Sequence, residues 1–531
     1  MLVLLPVVLA FLGALAIMIL QRVRPSYGDS WLVAVGVSLM VWGLTLALRW
    51  QENAVVSLPL WWPVDTTVFI TFQADRISWM YGFGLASLVL AVVLTAAARL
   101  QYQITPWVWV ETMLLEGAGL LVVFFGSFTT LIFVWTIMDF TELLVMLVNV
   151  RQVQQKQGIV VAFLLRVSGT MLLVWAMVRS QAFGTPLNLT NIIPEVGILL
   201  LLAVGLRLGV VPLHLPYGEE PRLRRGLGTL VRFSAAASGL VVLARLPAQI
   251  IPGQWYAWLL TFTALAALYG AAMWAAAKTE LDGRPYLVIA MAGLAFACVI
   301  QGNPIASIAW GLALILSGGL IFLSSERIPS LVFIGLLGAL GLIGLPFTPA
   351  AAGWAGLVRQ PYSFATVVFG LSHALVVAGY LRHALRTTGT MEGKESWVKV
   401  LYPFGLIFLI LVGWTIAVFG QAGGLTSGVW WASVSSTLLA AGLWFFTSRR
   451  QTFDDNSEEG RGWFAILAKR AAPWVSSIFS LNWIYRGISA LYRFLQILIS
   501  FLSLLLEGQG GVLWALVLLA LLSTLIASGG V

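Results

Sequence analysis

Long apolar runs constrain this chain more than any other feature of its sequence. About sixteen runs of roughly 18 or more residues are long enough for an α-helix to cross the hydrocarbon core of a bilayer. Helices satisfy their own backbone hydrogen bonds in lipid, so the expected fold is an all-α polytopic membrane protein with about 16 transmembrane helices. The runs lie near residues 1–20, 31–49, 78–98, 107–126, 128–149, 158–178, 192–212, 227–247, 254–276, 285–302, 304–323, 330–348, 363–381, 400–420, 428–447 and 511–528.

The composition agrees with a membrane protein and excludes several kinds of chemistry. Of 531 residues 60% are hydrophobic and 10% are charged, whereas roughly a quarter are charged in soluble domains. The single cysteine, Cys298, excludes a disulfide framework, a cysteine-based zinc site and an iron–sulfur cluster. The three histidines lack metal-ligand spacing, and there is no phosphate-binding glycine loop or dinucleotide fingerprint. We therefore expect no cofactor, no metal and no bond chemistry in this chain.

The net charge of +9 is scattered at the ends of the apolar runs, which indicates membrane topology rather than nucleic-acid binding. Up to residue 400, one set of alternate connections carries Arg22, Arg24, Arg99, Arg151, Lys156, Arg222, Arg224, Arg225, Lys278, Arg284, Arg327, Arg382, Arg386, Lys394 and Lys399. The other set carries only Arg49, Arg76, Arg179, Arg245 and Arg359. Because cytoplasmic connections are rich in Lys and Arg, the expected location is a bacterial inner membrane with both termini outside the cytoplasm.

Two further segments have distinct patterns. In the outer connection 50–77, two tryptophans flanked by prolines precede a β-rich run, which predicts a short hairpin with the tryptophans at headgroup level. Residues 463–506 alternate basic and large apolar side chains, which predicts an amphipathic lateral helix along the interface within residues 449–510. The run after it predicts a C-terminal anchor helix in residues 511–531.

Residues 205–246 contain the most unusual set of side chains. Arg207 lies inside an apolar run, Pro212 breaks the same run, His214 follows, and Arg232 lies in the next run. An ionisable group in hydrocarbon is costly unless it faces protein or water, so each such residue is a functional-site hypothesis. A proline there frees backbone groups that neighbours or a cavity must satisfy.

Several short motifs occur in a recognisable order. They are DRIS at 75–78, residues 135–143, PLH at 212–214, TEL at 279–281, GLP at 344–346 and YLR at 380–382. With them the chain resembles the antiporter-like, proton-translocating membrane subunits of respiratory complex I (NADH:quinone oxidoreductase) and of Mrp antiporters. The resemblance covers nearly the whole chain and is strongest to the long subunit with a lateral helix.

The resemblance implies two inverted repeats of five helices, each with one broken helix, here at Pro212 and Pro346. The implied organisation begins with N-terminal spans and an outer, β-rich loop in residues 1–106, followed by the first repeat in 107–250 and the second repeat in 251–386. After these come C-terminal spans in 387–448, the lateral helix in 449–510 and the anchor span in 511–531.

The charged positions of that family match this chain only in part. The seventh-span lysine is Arg207, which keeps the charge but does not release a proton readily. The fifth-span glutamate falls on Thr136, and Asp139 and Glu142 follow at three-residue steps as replacements. The eighth-span basic position falls near Val231 and Arg232. The second-half lysine positions fall at or beside Gly318 and on Leu357, so that half is expected to lack a polar axis.

The candidates for an ion path are Arg207, Asp139, Glu142, Arg166, Arg232, His214 and His373. Arg207 and Arg166 have a structural alternative, a permanent ion pair with Asp139 or Glu142. The alternative for Arg232 is a side chain that reaches the cytoplasmic interface, and for His214 a hydrogen bond that supports the broken helix. We expect a solvated loop that contains Lys278, Glu280, Asp282 and Arg284. The alternative is that these residues lie at the entrance of an ion channel.

The expected function is a membrane subunit of a complex I-like or Mrp-like assembly, which conducts or supports translocation of protons or sodium. Redox chemistry or antiport elsewhere in the complex would drive it, and its partners would be other membrane subunits and the lipid bilayer. One alternative is a non-conducting scaffold subunit. Another is a membrane partner of a hydrogenase or of an inorganic-carbon uptake system, because this fold is reused.

Overall fold

The computed structural model describes residues 2–24, 27–51, 53–59, 69–100, 107–150, 153–189, 192–215, 225–360, 362–387, 389–420 and 425–453, with scattered positions between 490 and 520. About four fifths of these residues are helical. The helices are α1 (Leu5–Val23), α2 (Tyr27–Ala47), α3 (Arg76–Thr95), α4 (Trp107–Val123), α5 (Phe128–Asn149), α6 (Val153–Ala182), α7 (Pro194–Leu208), α8 (Arg225–Arg245), α9 (Gly253–Ala276), α10 (Glu280–Ile300), α11 (Ser307–Ala313), α12 (Gly319–Leu323), α13 (Pro329–Ile343), α14 (Trp354–Leu357), α15 (Phe364–Ala384), α16 (Ser396–Phe419) and α17 (Trp430–Phe453).

These helices confirm an all-α polytopic membrane protein. Eleven stretches in the described part of the chain are long and apolar enough to cross a bilayer. Of the other predicted spans, α7 and α13 stop before their prolines. The segment of α11 and α12 is one of the eleven, although a π-helical turn, Leu314–Gly318, interrupts it. The two inverted repeats and the repeat boundaries remain predictions.

The core lies where α3, α8, α10 and the α11–α12 segment meet. The apolar stretches of α3 and α8 are entirely buried, whereas α5, α6 and α9 are half-buried or less. The outer faces of these peripheral helices expose large apolar side chains, among them Phe140, Trp175 and Phe262. In water such a surface would aggregate, but in a bilayer it contacts lipid or a neighbouring subunit.

The connection 50–77 contains the predicted hairpin. Strands β1 (Ala54–Pro59) and β2 (Phe69–Ala74) are antiparallel, and Ala54 pairs with Ala74. Asp75 then caps α3, because its Oδ1 accepts a hydrogen bond from the backbone N–H of Ser78 at 2.7 Å. Arg245 at the end of α8 forms an ion pair with the same carboxylate at 2.9 Å, which ties α8 to the start of α3. Trp61 and Trp62, the predicted interface tryptophans, lie outside the described residues.

The two proline breaks have matching local structure. Both α7 and α13 have 15 residues and begin with a proline in the first turn. Both end at a glycine in the left-handed region, Gly209 with φ 72° and Gly344 with φ 68°, where an L side chain would be strained. The segment after α7 folds back so closely that a Cβ on Gly205 would lie 2.4 Å from the carbonyl oxygen of Val211. These matching ends support the two repeats, which remain a prediction.

Two compact units are separated at residues 457 and 458. The first contains every helix named above. The predicted lateral helix lies almost wholly outside the described residues, apart from the end of α17 and scattered helical positions, and so does most of the anchor span. Both elements remain predictions.

The predicted topology can be tested by cysteine labelling. Cys298 is buried, which keeps the background low. We expect Glu392→Cys, in the connection between α15 and α16, to react with a membrane-impermeant maleimide only from the cytoplasmic side. Gln360→Cys, before α15, should react only from the opposite side, because the Lys and Arg bias places that connection outside. Reversed labelling of both sites would show that the topology is inverted, and labelling of both from one side would show that the span count is wrong.

Candidate functional site

The first half of the chain contains a group of buried charges on four successive helices, called the charge cluster below. Its members are Asp139 and Glu142 on α5, Arg166 on α6, Arg207 on α7 and Arg232 on α8, and none is more than 2% exposed. An isolated charge in such surroundings costs many kcal/mol, so it needs a partner. Most of these side chains find their partners within the cluster.

Arg207 and Asp139 form the best-defined pair of the charge cluster. Nη1 and Nη2 of Arg207 donate to Oδ2 and Oδ1 of Asp139, both at 2.7 Å. The guanidinium lies 4.3 Å from the ring centroid of Trp135, and its Nη2 is 3.5 Å from the hydroxyl oxygen of Ser238. The Trp135 indole N–H donates to the Ser238 carbonyl at 3.2 Å. A two-pronged pair of this kind fixes geometry as well as charge, and it joins α5, α7 and α8.

Arg166 links the two acids of α5. Its Nη1 donates to Oε2 of Glu142, and its Nε lies 3.8 Å from Oδ1 of Asp139. Asp139 and Glu142 are three residues apart and therefore lie on one face of the helix. Thr136 does not take part, because its side chain is exposed and its hydroxyl donates to the carbonyl of Ile132. Asp139 and Glu142 are thus the acids of this helix that point inward.

Arg232 does not reach an interface. It is fully buried on α8 and lies close enough to Glu142 for an electrostatic interaction. The alternative in which its side chain extends to the cytoplasmic surface is wrong for this structure. His214 is also buried, and its Nδ1 donates to the carbonyl of Pro212 at 2.8 Å, which supports the segment after the break in α7.

At the two places where the resemblance implies lysines, at or beside Gly318 and at Leu357, the second half has no charged residue. Gly318 is buried in the π-helical turn against Phe233, and Leu357 is fully buried. His373 on α15 lies between the rings of Trp310 and Trp354. Its Nε2 donates to the carbonyl of Leu342 at 3.0 Å, and its Nδ1 is 2.8 Å from the hydroxyl of Ser436 on α17.

The contact of His373 with Leu342 follows from the helix break. In an unbroken helix the carbonyl of Leu342 would accept from the N–H of residue 346, but Pro346 has no N–H. A buried carbonyl without a donor costs free energy, and the imidazole supplies the missing donor. His373 therefore caps the broken helix, and the structure gives this residue a structural role that its sequence position did not reveal.

A second ion cluster joins several helix ends around Glu280, where a solvated loop was expected. Glu280 is 5% exposed and Arg284 is 1% exposed, so that expectation is wrong for both. Oε1 of Glu280 accepts from Nη1 of Arg225 at 2.6 Å and lies 3.0 Å from Nη2 of Arg327. Burial lowers the pKa of Arg327, and the Glu280 carboxylate opposes that shift.

The two arginines of this second cluster also cap helix ends. Arg225 donates to the carbonyls of Phe322 and Ser324, at 3.3 and 3.2 Å, and Arg327 donates to the carbonyl of His383. These are last-turn carbonyls of α12 and α15 or follow them directly, and cations are favourable there. Glu280 therefore holds together the starts of α8 and α10 and the ends of α12 and α15.

Sequence reasoning missed two acids on α4. Glu111 accepts a hydrogen bond from Nδ2 of Asn149 at 2.9 Å, and Glu116 is buried at 2% exposure. Both lie within the predicted run 107–126, so the rule that singled out Arg207 would have found them.

The fold is similar to that of subunits of known membrane complexes. A chain of the membrane-bound sulfane sulfur reductase, an archaeal respiratory membrane complex, has a TM-score of 0.69 at 15% identity, over 99% of this chain and 100% of that one. A chain of the Mrp complex from a Dietzia species has a TM-score of 0.70 at 15% identity; all of this chain aligns with 63% of that one. A chain of respiratory complex I from Thermus thermophilus has a TM-score of 0.63 at 19% identity, over 83% and 99%.

No protein-family model and no curated protein sequence matches the chain. At these identities the similarity shows the fold alone. The resemblance seen in the short motifs is confirmed at the level of the fold.

A double-mutant cycle tests the pair of Arg207 and Asp139. Arg207→Gln leaves the Asp139 carboxylate without its strongest partner and should lower the free energy of unfolding by roughly 3–5 kcal/mol. Asp139→Asn should act similarly, and the double variant should regain most of the loss because both desolvated charges are gone. Arg22→Gln, at the exposed end of α1, is the control and should change stability little. Additive losses in the double variant would contradict the pairing.

Glu280→Gln tests the second ion cluster. The amide has no negative charge for Arg225 and Arg327, so we expect a loss of about 1.5–3 kcal/mol in the free energy of unfolding. Asp282→Asn, an exposed site on the first turn of the same helix, is the matched control. Equal effects of the two substitutions would show that Glu280 does not hold these helix ends together.

Proposed function

We propose that this chain is a membrane subunit of a multisubunit complex related to complex I and Mrp antiporters, and that its first half conducts protons. The observation that carries the proposal is the charge cluster, five almost fully buried charges on α5 to α8. Charges in a membrane interior are costly and mark ion paths and relays by default. The fold shared with subunits of respiratory and antiporter complexes supports the same assignment.

In this proposal the roles within the charge cluster differ. A guanidinium stays protonated, so Arg207 does not carry a proton; it positions Asp139 through two hydrogen bonds. The groups that exchange protons are carboxylates on α4 and α5.

The second half has a structural role in this proposal. Gly318 and Leu357 occupy the positions where the family has lysines, and His373 is engaged as a helix cap. The lateral helix would hold neighbouring subunits, and the driving reaction would take place in other subunits.

A non-conducting scaffold is the second candidate. The two-pronged contact between Arg207 and Asp139 favours it, because a permanent ion pair can be retained for structure alone. The two candidates agree on membrane partners and differ on ion flux.

A measurement of proton flux in the purified complex distinguishes the conducting subunit from the non-conducting scaffold. The complex is isolated in mild detergent through a tag on this chain, its membrane subunits are identified, and it is reconstituted in vesicles with a pH-sensitive dye inside. The double variant Arg207→Gln with Asp139→Asn should assemble normally but lose coupled proton flux at least about tenfold, because the relay acid is gone; Arg22→Gln should retain full flux. Full flux in the double variant would establish the scaffold role. Isolation without any membrane partner would contradict the proposed complex.

A further inference from the structure

Glu116 differs from the other buried acids of the first half. It lies in the middle of α4 at 2% exposure, and among the described residues neither of its carboxyl oxygens has a hydrogen-bond partner. Asp139 and Glu142 are paired with arginines, and Glu111, five residues earlier on the same helix, accepts from Asn149. Glu116 is thus a carboxyl group held in apolar surroundings without compensation.

The surroundings of Glu116 determine which form is stable. The helices packed against α4 are α1, α2, α3, α5 and α8. Their charged and titratable side chains are Arg22, Tyr27, Asp29, Arg76, Tyr81, Asp139, Glu142, Arg225, Arg232 and Arg245. Among those whose side chains the structure describes, none donates a hydrogen bond to Glu116. An ionised carboxylate without a partner is far more costly in low dielectric than the neutral acid, so the group is stable here with a proton bound.

The same surroundings identify the ligand as a proton rather than a metal cation. Hard cations are held by several oxygen ligands. Among the described residues neither Glu116 oxygen accepts a hydrogen bond, and the hydroxyl of Thr112, one turn earlier, already donates to the carbonyl of Val108 at 2.7 Å. One carboxyl group by itself holds a proton and no larger ion.

Two hydroxyl groups on α8 lie between the charge cluster and the face of α4 that carries Glu116. Gly119 lies one turn after Glu116 on the same face of α4, and a Cβ placed on it would be 3.4 Å from the Ser234 hydroxyl oxygen. Ser238 lies one turn further along α8, and its hydroxyl oxygen is 3.5 Å from Nη2 of Arg207. Because residues four apart share a helix face, Ser234 and Ser238 form a row between α4 and Arg207.

We propose that Glu116 is a proton-binding site, which holds a proton in this conformation and exchanges it with the carboxylates of the charge cluster along Ser234 and Ser238. The proposal rests on proton conduction through the first half. In this chain Arg207 occupies the position of the family's proton-exchanging lysine, and Glu116 is the group that takes over proton exchange. It also favours protons over sodium as the translocated ion.

Infrared spectroscopy of the intact purified complex tests the bound proton without reference to transport. At neutral pH the wild type should show the carbonyl stretch of a protonated carboxylic acid, and the band should move when the complex is transferred to D2O. Glu116→Gln should lack this band, whereas Glu111→Gln, on the same helix, should retain it. A wild-type minus Glu116→Gln spectrum with carboxylate bands only, or an acid band that never moves in D2O, would overturn the proposal.

Flux measurements test the exchange. Glu116→Gln resembles the protonated acid in shape and charge, so the complex should assemble in full yield while proton flux falls at least about tenfold. Ser234→Ala should reduce flux without removing the infrared band. Wild-type flux in Glu116→Gln would overturn the exchange role of Glu116. If the wild type shows the exchangeable acid band but conducts no protons, the proposed function fails and the proton-binding site stands.

Discussion

The contact of Arg207 with Asp139 is the interaction on which the first half depends. Two hydrogen bonds at 2.7 Å join α7 to α5, and both side chains are buried within the protein. Without either partner the other charge would be stranded in low dielectric, so both are retained together. Trp135 and Ser238 complete the surroundings of the guanidinium and bring α8 into the same contact. The pair also fixes α5, and the acids of this helix, Asp139 and Glu142, in turn position Arg166 and Arg232.

The breaks in α7 and α13 have the same physical cause and different compensation. Each proline lacks the N–H that would continue the helix, and each helix ends at a glycine with positive φ. In the second half the imidazole of His373 supplies a donor to the freed carbonyl of Leu342. In the first half His214 donates to Pro212 itself. A histidine thus stabilises the irregular backbone in both halves, which accounts for two of the three histidines of the chain.

Two of the short motifs that suggested the family, DRIS at 75–78 and TEL at 279–281, lie at the starts of helices. Asp75 of DRIS caps α3 and pairs with Arg245, while Thr279 of TEL caps α10 beside Glu280. Such residues lie at the ends of membrane helices, where unsatisfied N–H groups and nearby arginines need acceptors. These two motifs therefore mark the starts of helices and are not evidence for ion conduction. The evidence for conduction comes from the buried acids and bases of the first half.

The sequence by itself determined the membrane class, most helix positions, the hairpin and both helix breaks, because hydropathy, Pro and Gly act locally. It also limited the partner of Arg207 to two acids. Only the tertiary structure decided that the partner is Asp139, that Arg232 is buried, and that Glu280 joins helix ends instead of facing solvent. The reason is that Arg207 and Asp139 lie 68 residues apart, and their contact depends on the rotation of each helix about its axis. Among the described residues Glu116 has no hydrogen-bond partner, and this too depends on which faces of α4 and α8 meet.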